Sequence, residues 1–205
     1  MTLTIRKATK EDDPFVSRIC LLTGDAGNSA EHLHDCPELP GLVYAVPYVH
    51  LPTTWGFVLT DETIGEPVGY ILGSTDTRAF EEYAKEHWWP PLAEKYPPSI
   101  ATKSGDVHYT KLLRNMHTAP QPCVDFSPAH LHIDILPAYQ KQGWGKKLIG
   151  HAIDYLKESE GLNSIWLGLD PRNKGAKVFY GKLGFKQVEG ADENQMGLRF
   201  DEFRK

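Results

Sequence analysis

The stretch from His130 to Gly150 constrains the fold most, because it joins a strand pattern, a tight turn and a helix pattern without a break. Apolar and polar side chains alternate over 130–135, which is the period of a strand with two unlike faces. The apolar face holds Leu131, Ile133 and Ile135, and the polar face holds His132 and Asp134. Pro137 ends the strand, since proline donates no ladder hydrogen bond. A helix with one apolar stripe is predicted from Trp144 onward.

The turn between this strand and helix reads Gln-x-x-Gly-x-Gly, with Gln140, Gly143 and Gly145 at the fixed positions. Backbone N–H groups at a helix start lack intrahelical acceptors, and the helix dipole adds positive charge, so the turn can hold a phosphate. Its spacing is not that of a P-loop, and Leu148 stands where a dinucleotide fingerprint needs its third glycine. The pattern by itself leaves two interpretations open, a phosphate seat and an ordinary strand–turn–helix.

Length and composition predict one globular domain over 1–205, which includes a long insertion over 77–128. The net charge of −5 offers no basic footprint for nucleic acid, and no apolar run reaches the ~20 residues of a membrane helix. The chain's start lacks the apolar core of a secretory signal. Three widely spaced cysteines favour reduced thiols in a cytoplasmic compartment.

Before the central stretch, strands are predicted at 3–7, 55–60 and 67–73, with a first helix capped by Asp13 and a short second helix from Ser29 to His34. The insertion begins as a helix near Thr77, and prolines divide it into helical and irregular parts. After the central helix come a buried strand over 164–169, a helix over 174–183 and a closing hairpin over 185–200.

Two motifs and this element order resemble the GNAT acetyltransferase superfamily. The turn at residues 140–145 looks like motif A of that family. The pattern Asn173-x-x-Ala176-x-x-x-Tyr180-x-Lys182-x-Gly184-Phe185 looks like motif B. The resemblance implies an α/β (α+β) GNAT fold, in which a mixed, mostly antiparallel central sheet is flanked by helices. It also implies an acetyl-CoA-dependent N-acetyltransferase, in which a primary amine of a small molecule or a protein lysine attacks the thioester directly.

The same resemblance assigns the cofactor site to the turn, to the end of the strand and to motif B. The implied cofactor-binding residues are Ile135, Leu136, Gln140, Lys141, Gln142, Gly143, Trp144, Gly145, Lys146, Asn173, Lys177 and Tyr180. Ile135 and Leu136 would offer free backbone groups to the pantetheine arm. Tyr180 matches the tyrosine that protonates the leaving thiolate in many members of the family, and packing is its other possible role.

The general base is a choice between two residues of the polar strand face. Asp134 has apolar neighbours, and a carboxylate is rarely buried without a partner or a purpose. It suits either a base or a counter-ion for the substrate ammonium. His132 is the second candidate, because its ordinary pKa of ~6.5 is closer to neutral pH. Ala129 stands where some members of the family carry a glutamate base.

A finer resemblance links the segments 69–80, 88–97 and 133–137 to the C-terminal acetyltransferase-like domain of O-GlcNAcase. That domain is regarded as a pseudo-acetyltransferase, so the alternative function is binding of acetyl-CoA or a protein partner without transfer. A third possibility is an interaction domain that binds no CoA. The intact turn favours the enzyme, with a small-molecule or peptide amine as acceptor, no nucleic acid, no membrane, and a monomeric or homodimeric state.

His32, His34 and Cys36 form the one pattern that resembles a metal site. Their His-x-His-x-Cys spacing places the three side chains on different faces of a helix, and no second cluster follows. The sequence therefore predicts no metal and leaves these polar groups beside the acceptor pocket.

Overall fold

The structure, a computed structural model, describes residues 2–204. Within that range it has seven strands in one sheet, in the order β1-β2-β3-β4-β5-β7-β6. The strands are β1 (Leu3–Lys7), β2 (Thr54–Asp61), β3 (Glu66–Ser74), β4 (His130–Ile135), β5 (Ser164–Gly168), β6 (Lys186–Gln187) and β7 (Gln195–Arg199). The α-helices are α1 (Asp13–Thr23), α2 (Leu39–Tyr44), α3 (Pro47–His50), α4 (Thr77–His87), α5 (Trp89–Lys95), α6 (Ser104–Leu112), α7 (Gln121–Phe126), α8 (Trp144–Glu160) and α9 (Lys174–Leu183).

The sheet is antiparallel except at its centre, where β4 runs parallel to β5. Along its full length β4 pairs with β3, whereas it meets β5 only at His130 opposite Trp166. The two central strands therefore separate toward the C-terminal end of β4. A mixed, mostly antiparallel sheet was predicted, and the structure confirms it.

Two apolar clusters lie on opposite faces of this sheet. One face is covered by α8 and α9, where Leu148, Ile149 and Leu156 of α8 pack with Leu131 and Ile135 of β4. The other face is covered by α1 and α3 in a cluster that includes Val16, Ile19 and Tyr70. The alternation along β4 thus places its apolar and polar side chains on different layers, as the sequence pattern predicts.

The central helix begins and ends next to glycines. Gly143 caps the start of α8 with φ 83°, and Gly161 caps its end with φ 65°. Both angles lie in the left-handed region, which a residue without Cβ enters at little cost. At Gly143 an added Cβ would meet no heavy atom within 4 Å, so this glycine serves backbone conformation and leaves open space in front of the turn.

Residues 77–128 lie between β3 and β4, two strands that pair directly, and they contain α4, α5, α6 and α7. Asp76 caps α4 by accepting a hydrogen bond from the backbone N–H of Ala79 at 3.0 Å. The insertion is anchored at Asp106 of α6, which is fully buried and accepts from the backbone N–H of Asp35 at 2.7 Å.

The region after α1 differs from the sequence-based prediction. The short helix predicted from Ser29 to His34 is a 3₁₀ turn over Glu31–Leu33. The helices α2 and α3 that follow it were not predicted, since each is short and carries a proline in its first turn. The predicted cap of α1 is one residue off, because Asp12 occupies that position and Asp13 is the first helical residue. None of the helices in the described residues has the length and apolar character needed to cross a membrane.

Candidate active site

The turn before α8 presents a row of backbone donors. Lys141 has φ 59° and Gly143 has φ 83°, and these left-handed residues bend the chain sharply ahead of the helix. The first backbone N–H after Gln140 to find an acceptor is that of Lys147, which bonds the carbonyl of Gly143 at 3.2 Å. The intervening N–H groups, from Lys141 to Lys146, have no acceptor among the described residues. They stand at the positive end of the helix dipole, which is the arrangement that binds phosphate.

Side chains stabilise this turn from both ends. Gln140 donates to the carbonyl of Ile135 at 2.8 Å, which ties the turn back to β4. The ammonium of Lys147 lies 3.9 Å from the ring centroid of Trp144, a cation–π contact within the first turn of α8. A Cβ on Gly145 would come within 3.0 Å of the ring of Phe179, so the second glycine permits α9 to pack closely against the turn.

The backbone edge predicted at Ile135 and Leu136 is available only in part. Leu136 donates its N–H to the carbonyl of Val68 in β3 at 2.9 Å, so it does not face the gap between β4 and β5. In an antiparallel ladder successive residues direct their backbone groups to opposite sides, so those of Ile133 and Ile135 face the gap. The carbonyl of Ile135 already accepts a hydrogen bond from the side chain of Gln140. Ile133, whose backbone groups also face the gap, was not among the cofactor-binding residues predicted from the sequence.

Motif B lies on α9 and the turn before it. Asn173 caps the helix by accepting from the backbone N–H of Ala176 at 3.0 Å. The exposed side chain of Lys177 forms an ion pair with Glu193 at 3.0 Å. Tyr180 is buried against Phe185, and its hydroxyl has no hydrogen-bond partner among the described residues. Burial, and then the charge of Asp134, raise the pKa of Tyr180 well above its ordinary value.

Asp134 and His132 lie side by side on the polar face of β4. Tyr70 stands opposite Asp134 in the β3–β4 ladder and donates its hydroxyl to Oδ2 at 2.5 Å. Burial raises the pKa of Asp134 to about 6, and the hydrogen bond from Tyr70 opposes that rise. Burial lowers the pKa of His132 to about 4. At neutral pH the pair is therefore a carboxylate beside a neutral imidazole.

The three predicted catalytic residues line one cleft of about 1730 Å³, together with residues of α1, α2, the insertion and β5. Asp134, His132 and Tyr180 reach it from β4 and α9. The turn from Gln140 to Lys146, the predicted phosphate site, is outside this lining. The cleft also contains Cys20 and Tyr48, which the sequence analysis did not select.

Other polar residues of the site have no local signal in the sequence. Tyr48 of α3 bonds two histidines of β4, His130 Nε2 at 2.9 Å and His132 Nε2 at 3.0 Å. Tyr70 could have been found only through the β3–β4 register. His34 bonds Asp106 at 2.8 Å and lines the cleft, whereas His32 is exposed. Among residues 2–204 no group of three potential metal ligands comes together.

The model of the acetyltransferase (GNAT) family matches residues 115–185, which hold the central turn and motif B. A solved structure described as SsHAT is 30% identical, with a TM-score of 0.82 over 98% of this chain and 99% of that chain. The coverage of SsHAT and the family match agree with the fold described above. The chain belongs to the GNAT acetyltransferase family, which confirms the predicted enzyme class and acetyl-CoA as the cofactor of that class.

More distant comparisons agree in fold or in part of the chain. The ribosomal protein bS18-alanine N-acetyltransferase of Haemophilus influenzae is 43% identical over 58 residues, which cover 28% of this chain and 38% of that protein. The matched segment is thus little more than a third of the curated relative. AtaTR bound with AcCoA shares the fold with a TM-score of 0.54 at 17% identity, over 97% of this chain and 94% of that one.

Proposed function

We propose that this chain transfers an acetyl group from acetyl-CoA to a primary amine by direct attack within a ternary complex. The observation that carries the proposal is the row of unpartnered N–H groups from Lys141 to Lys146 at the start of α8. These donors and the open space at Gly143 fit a pyrophosphate, so the turn is the proposed cofactor seat. The backbone N–H groups of Ile133 and Ile135, which face the gap between β4 and β5, are the proposed binding site for the pantetheine arm.

Bound there, acetyl-CoA supplies a thioester carbonyl that an amine can attack. The chain's own residues then have two proton tasks. Asp134, ionised above about pH 6, accepts the proton of the incoming ammonium. Tyr180, whose raised pKa keeps its proton, donates it to the leaving sulfur. Backbone N–H groups of the gap are candidates for stabilising the oxyanion.

The acceptor is a primary amine, either on a small molecule or on a protein. A relative named as a ribosomal protein bS18-alanine N-acetyltransferase, 43% identical over 58 residues, supports a peptide or protein amine. The residues of α1 and α2 that line the cleft lie outside the family match over 115–185, so a panel of amines is the way to identify the acceptor. A cytoplasmic compartment is consistent with Cys20, Cys36 and Cys123, all of which are free thiols. We also propose that residues 1–205 form a single domain and that the protein is a monomer or a homodimer.

The alternative is a pseudo-acetyltransferase like the C-terminal domain of O-GlcNAcase, which the finer sequence resemblance suggests. One experiment separates the two: acetyl-CoA titration by calorimetry, followed by turnover with a panel of small amines and lysine-containing peptides. We expect a thermal shift, because a ligand that binds the native state stabilises it by mass action. We also expect thiol release with an acetylated product identified by mass spectrometry. Binding without any product would favour the pseudo-enzyme. Absence of acetyl-CoA binding would refute acetyl transfer and favour an interaction domain that binds a protein partner without CoA.

A further inference from the structure

A buried chain of hydrogen bonds runs from the start of the insertion to the catalytic face of β4. The hydroxyl of Thr77 lies 2.7 Å from the carbonyl oxygen of Pro128 and 2.8 Å from Nδ1 of His130. Nε2 of His130 lies 2.9 Å from the hydroxyl of Tyr48, which lies 3.0 Å from Nε2 of His132. Thr77, Tyr48 and His130 are each more than nine-tenths buried, so solvent does not supply alternative partners.

The first hydrogen bond, between Thr77 and Pro128, fixes which group donates at every later hydrogen bond. Two oxygens 2.7 Å apart repel unless a hydrogen lies between them, and the carbonyl of Pro128 carries none. The hydroxyl of Thr77 therefore donates to Pro128. A hydroxyl has one hydrogen, so Thr77 can only accept from His130, and Nδ1 of His130 must carry a proton.

Each later link follows from the one before it. Burial lowers the pKa of His130 to about 3, so this imidazole is neutral and its second nitrogen, Nε2, has no proton. Tyr48 must then donate its single hydrogen to His130. Having none left, Tyr48 accepts from His132, so Nε2 of His132 is protonated. In the neutral ring of His132 the remaining nitrogen, Nδ1, keeps its lone pair.

From this geometry we infer that Thr77, His130 and Tyr48 are positioning residues that hold His132 as the Nε2–H tautomer, leaving Nδ1 to accept one N–H of the acceptor amine. The inference rests on the proposed amine acetylation and adds a second acceptor to it. Asp134 lies two residues further on the same strand face, about 6.6 Å along the backbone. An ammonium donates several hydrogen bonds, so Asp134 can take the proton while His132 orients the nitrogen.

The opposite tautomer would harm the same step. With Nδ1 protonated, His132 would direct an N–H at the ammonium, so donor would face donor and one hydrogen bond to the substrate would be lost. In this positioning role His132 forms and breaks no covalent bond and transfers no proton. The fixed tautomer keeps Nδ1 of the neutral His132 ring available as a hydrogen-bond acceptor next to the carboxylate of Asp134.

The tautomers are measurable in the free protein by long-range ¹H–¹⁵N correlation spectra of ¹⁵N-histidine-labelled samples. The two rings are assigned from the His130→Gln and His132→Gln variants. We expect Nδ1–H at His130 and Nε2–H at His132. Thr77→Val removes the hydroxyl, and a buried N–H without acceptor is costly, so the chain should reverse and move the proton of His132 to Nδ1. Thr77→Ser keeps the hydroxyl and should preserve both tautomers.

Kinetics with an acceptor amine provide the functional half of the test. Thr77→Val should lower kcat/KM for the amine by roughly tenfold or more, the typical effect of losing one hydrogen bond to a charged group, while the acetyl-CoA affinity is unchanged. Thr77→Ser should restore it. Thr75→Val is the matched control, because it deletes a threonine hydroxyl that donates to the carbonyl of Thr53 at 3.1 Å and lies outside the cleft lining.

Two results would overturn the inference: His132 with its proton on Nδ1 in the parent protein, or a Thr77→Val variant that is folded and retains both tautomers. Either result would leave the proposed acetyltransfer intact if products form. Conversely, if no amine is acetylated, the proposed function fails and no kcat/KM can be measured. The spectra then decide by themselves whether the hydrogen-bond chain fixes the tautomer of His132.

Discussion

The proposed site has a donor half, which would hold acetyl-CoA, and an acceptor half, which would bind the amine, and the two are built in opposite ways. The donor half is a continuous turn from Gln140 to Lys146, whose backbone N–H groups after Gln140 have no acceptor within residues 2–204. The acceptor half is assembled from side chains of α3, β3 and β4, and Tyr70, Tyr48 and His130 hold its polar atoms in place. A binding surface made of backbone groups tolerates many side chains but requires one backbone conformation. A binding surface made of side chains requires particular functional groups at particular positions. Substitutions should therefore act differently on the two halves.

The largest expected effect is at Gly143 in the donor half. Gly143→Asp forces a side chain into φ 83° and adds a negative charge at the start of α8, so acetyl-CoA binding should be lost. Calorimetric titration and thermal shift measure the loss. Gly65→Asp is the control, since Gly65 also has a positive φ of 72° with open space around it and lies in the β2–β3 turn. A folded Gly143→Asp variant with parental affinity would remove the turn from the cofactor site.

Tyr180→Phe tests whether α9 belongs to the chemistry or only to packing. The ring keeps its contacts with Phe185, but the proton donor is absent, so turnover should fall by ~10²–10⁴-fold with little change in acetyl-CoA affinity. The control is Tyr155→Phe, which deletes a hydroxyl that donates to Glu160 at 2.8 Å on α8. Turnover within twofold of the parent, where chemistry limits the rate, would assign Tyr180 to packing.

Asp134→Asn addresses the acceptor half directly. The amide is nearly isosteric but cannot take a proton, so turnover should fall by at least ~10²-fold while acetyl-CoA still binds. Asp61→Asn is the matched control, because Asp61 is buried and, like Asp134, accepts a tyrosine hydroxyl, that of Tyr139 at 2.9 Å. A change confined to the amine KM would instead make Asp134 a counter-ion for the substrate.

The smallest expected effect is a displacement of the pH profile. In the proposed mechanism the ionised form of Asp134 is active, and burial raises its pKa to about 6, so kcat/KM should fall as the pH drops below about 6. The hydroxyl of Tyr70 stabilises the carboxylate and lowers this pKa. Tyr70→Phe should therefore raise the pKa and move the acid limb to higher pH. Tyr139→Phe should leave the limb in place, and a Tyr70→Phe profile identical to the parent's would contradict this role of the bond.

The same contrast explains what the sequence could predict. The turn at Gly143 and both ends of α8 follow from local rules, and the alternation along β4 correctly separates Asp134 and His132 from the apolar face. Partners distant in sequence had no such signal: Tyr70 meets Asp134 only through strand register, and Tyr48 belongs to a four-residue helix. For Leu136 local reasoning failed, because the side to which its N–H points depends on pairing with Val68.

The single pair that joins β4 to β5 also bears on the dynamics of the fold. It divides the sheet into two ladders, β1–β4 and β5–β7, whose cohesion rests mainly on the packing of α8 against both. Such ladders are natural units of local opening. Amide hydrogens of Ile133 and Ile135, which face the gap, should exchange with solvent faster than those of the β2–β3 ladder. A ligand held along that edge would slow their exchange and couple the two ladders into one cooperative unit.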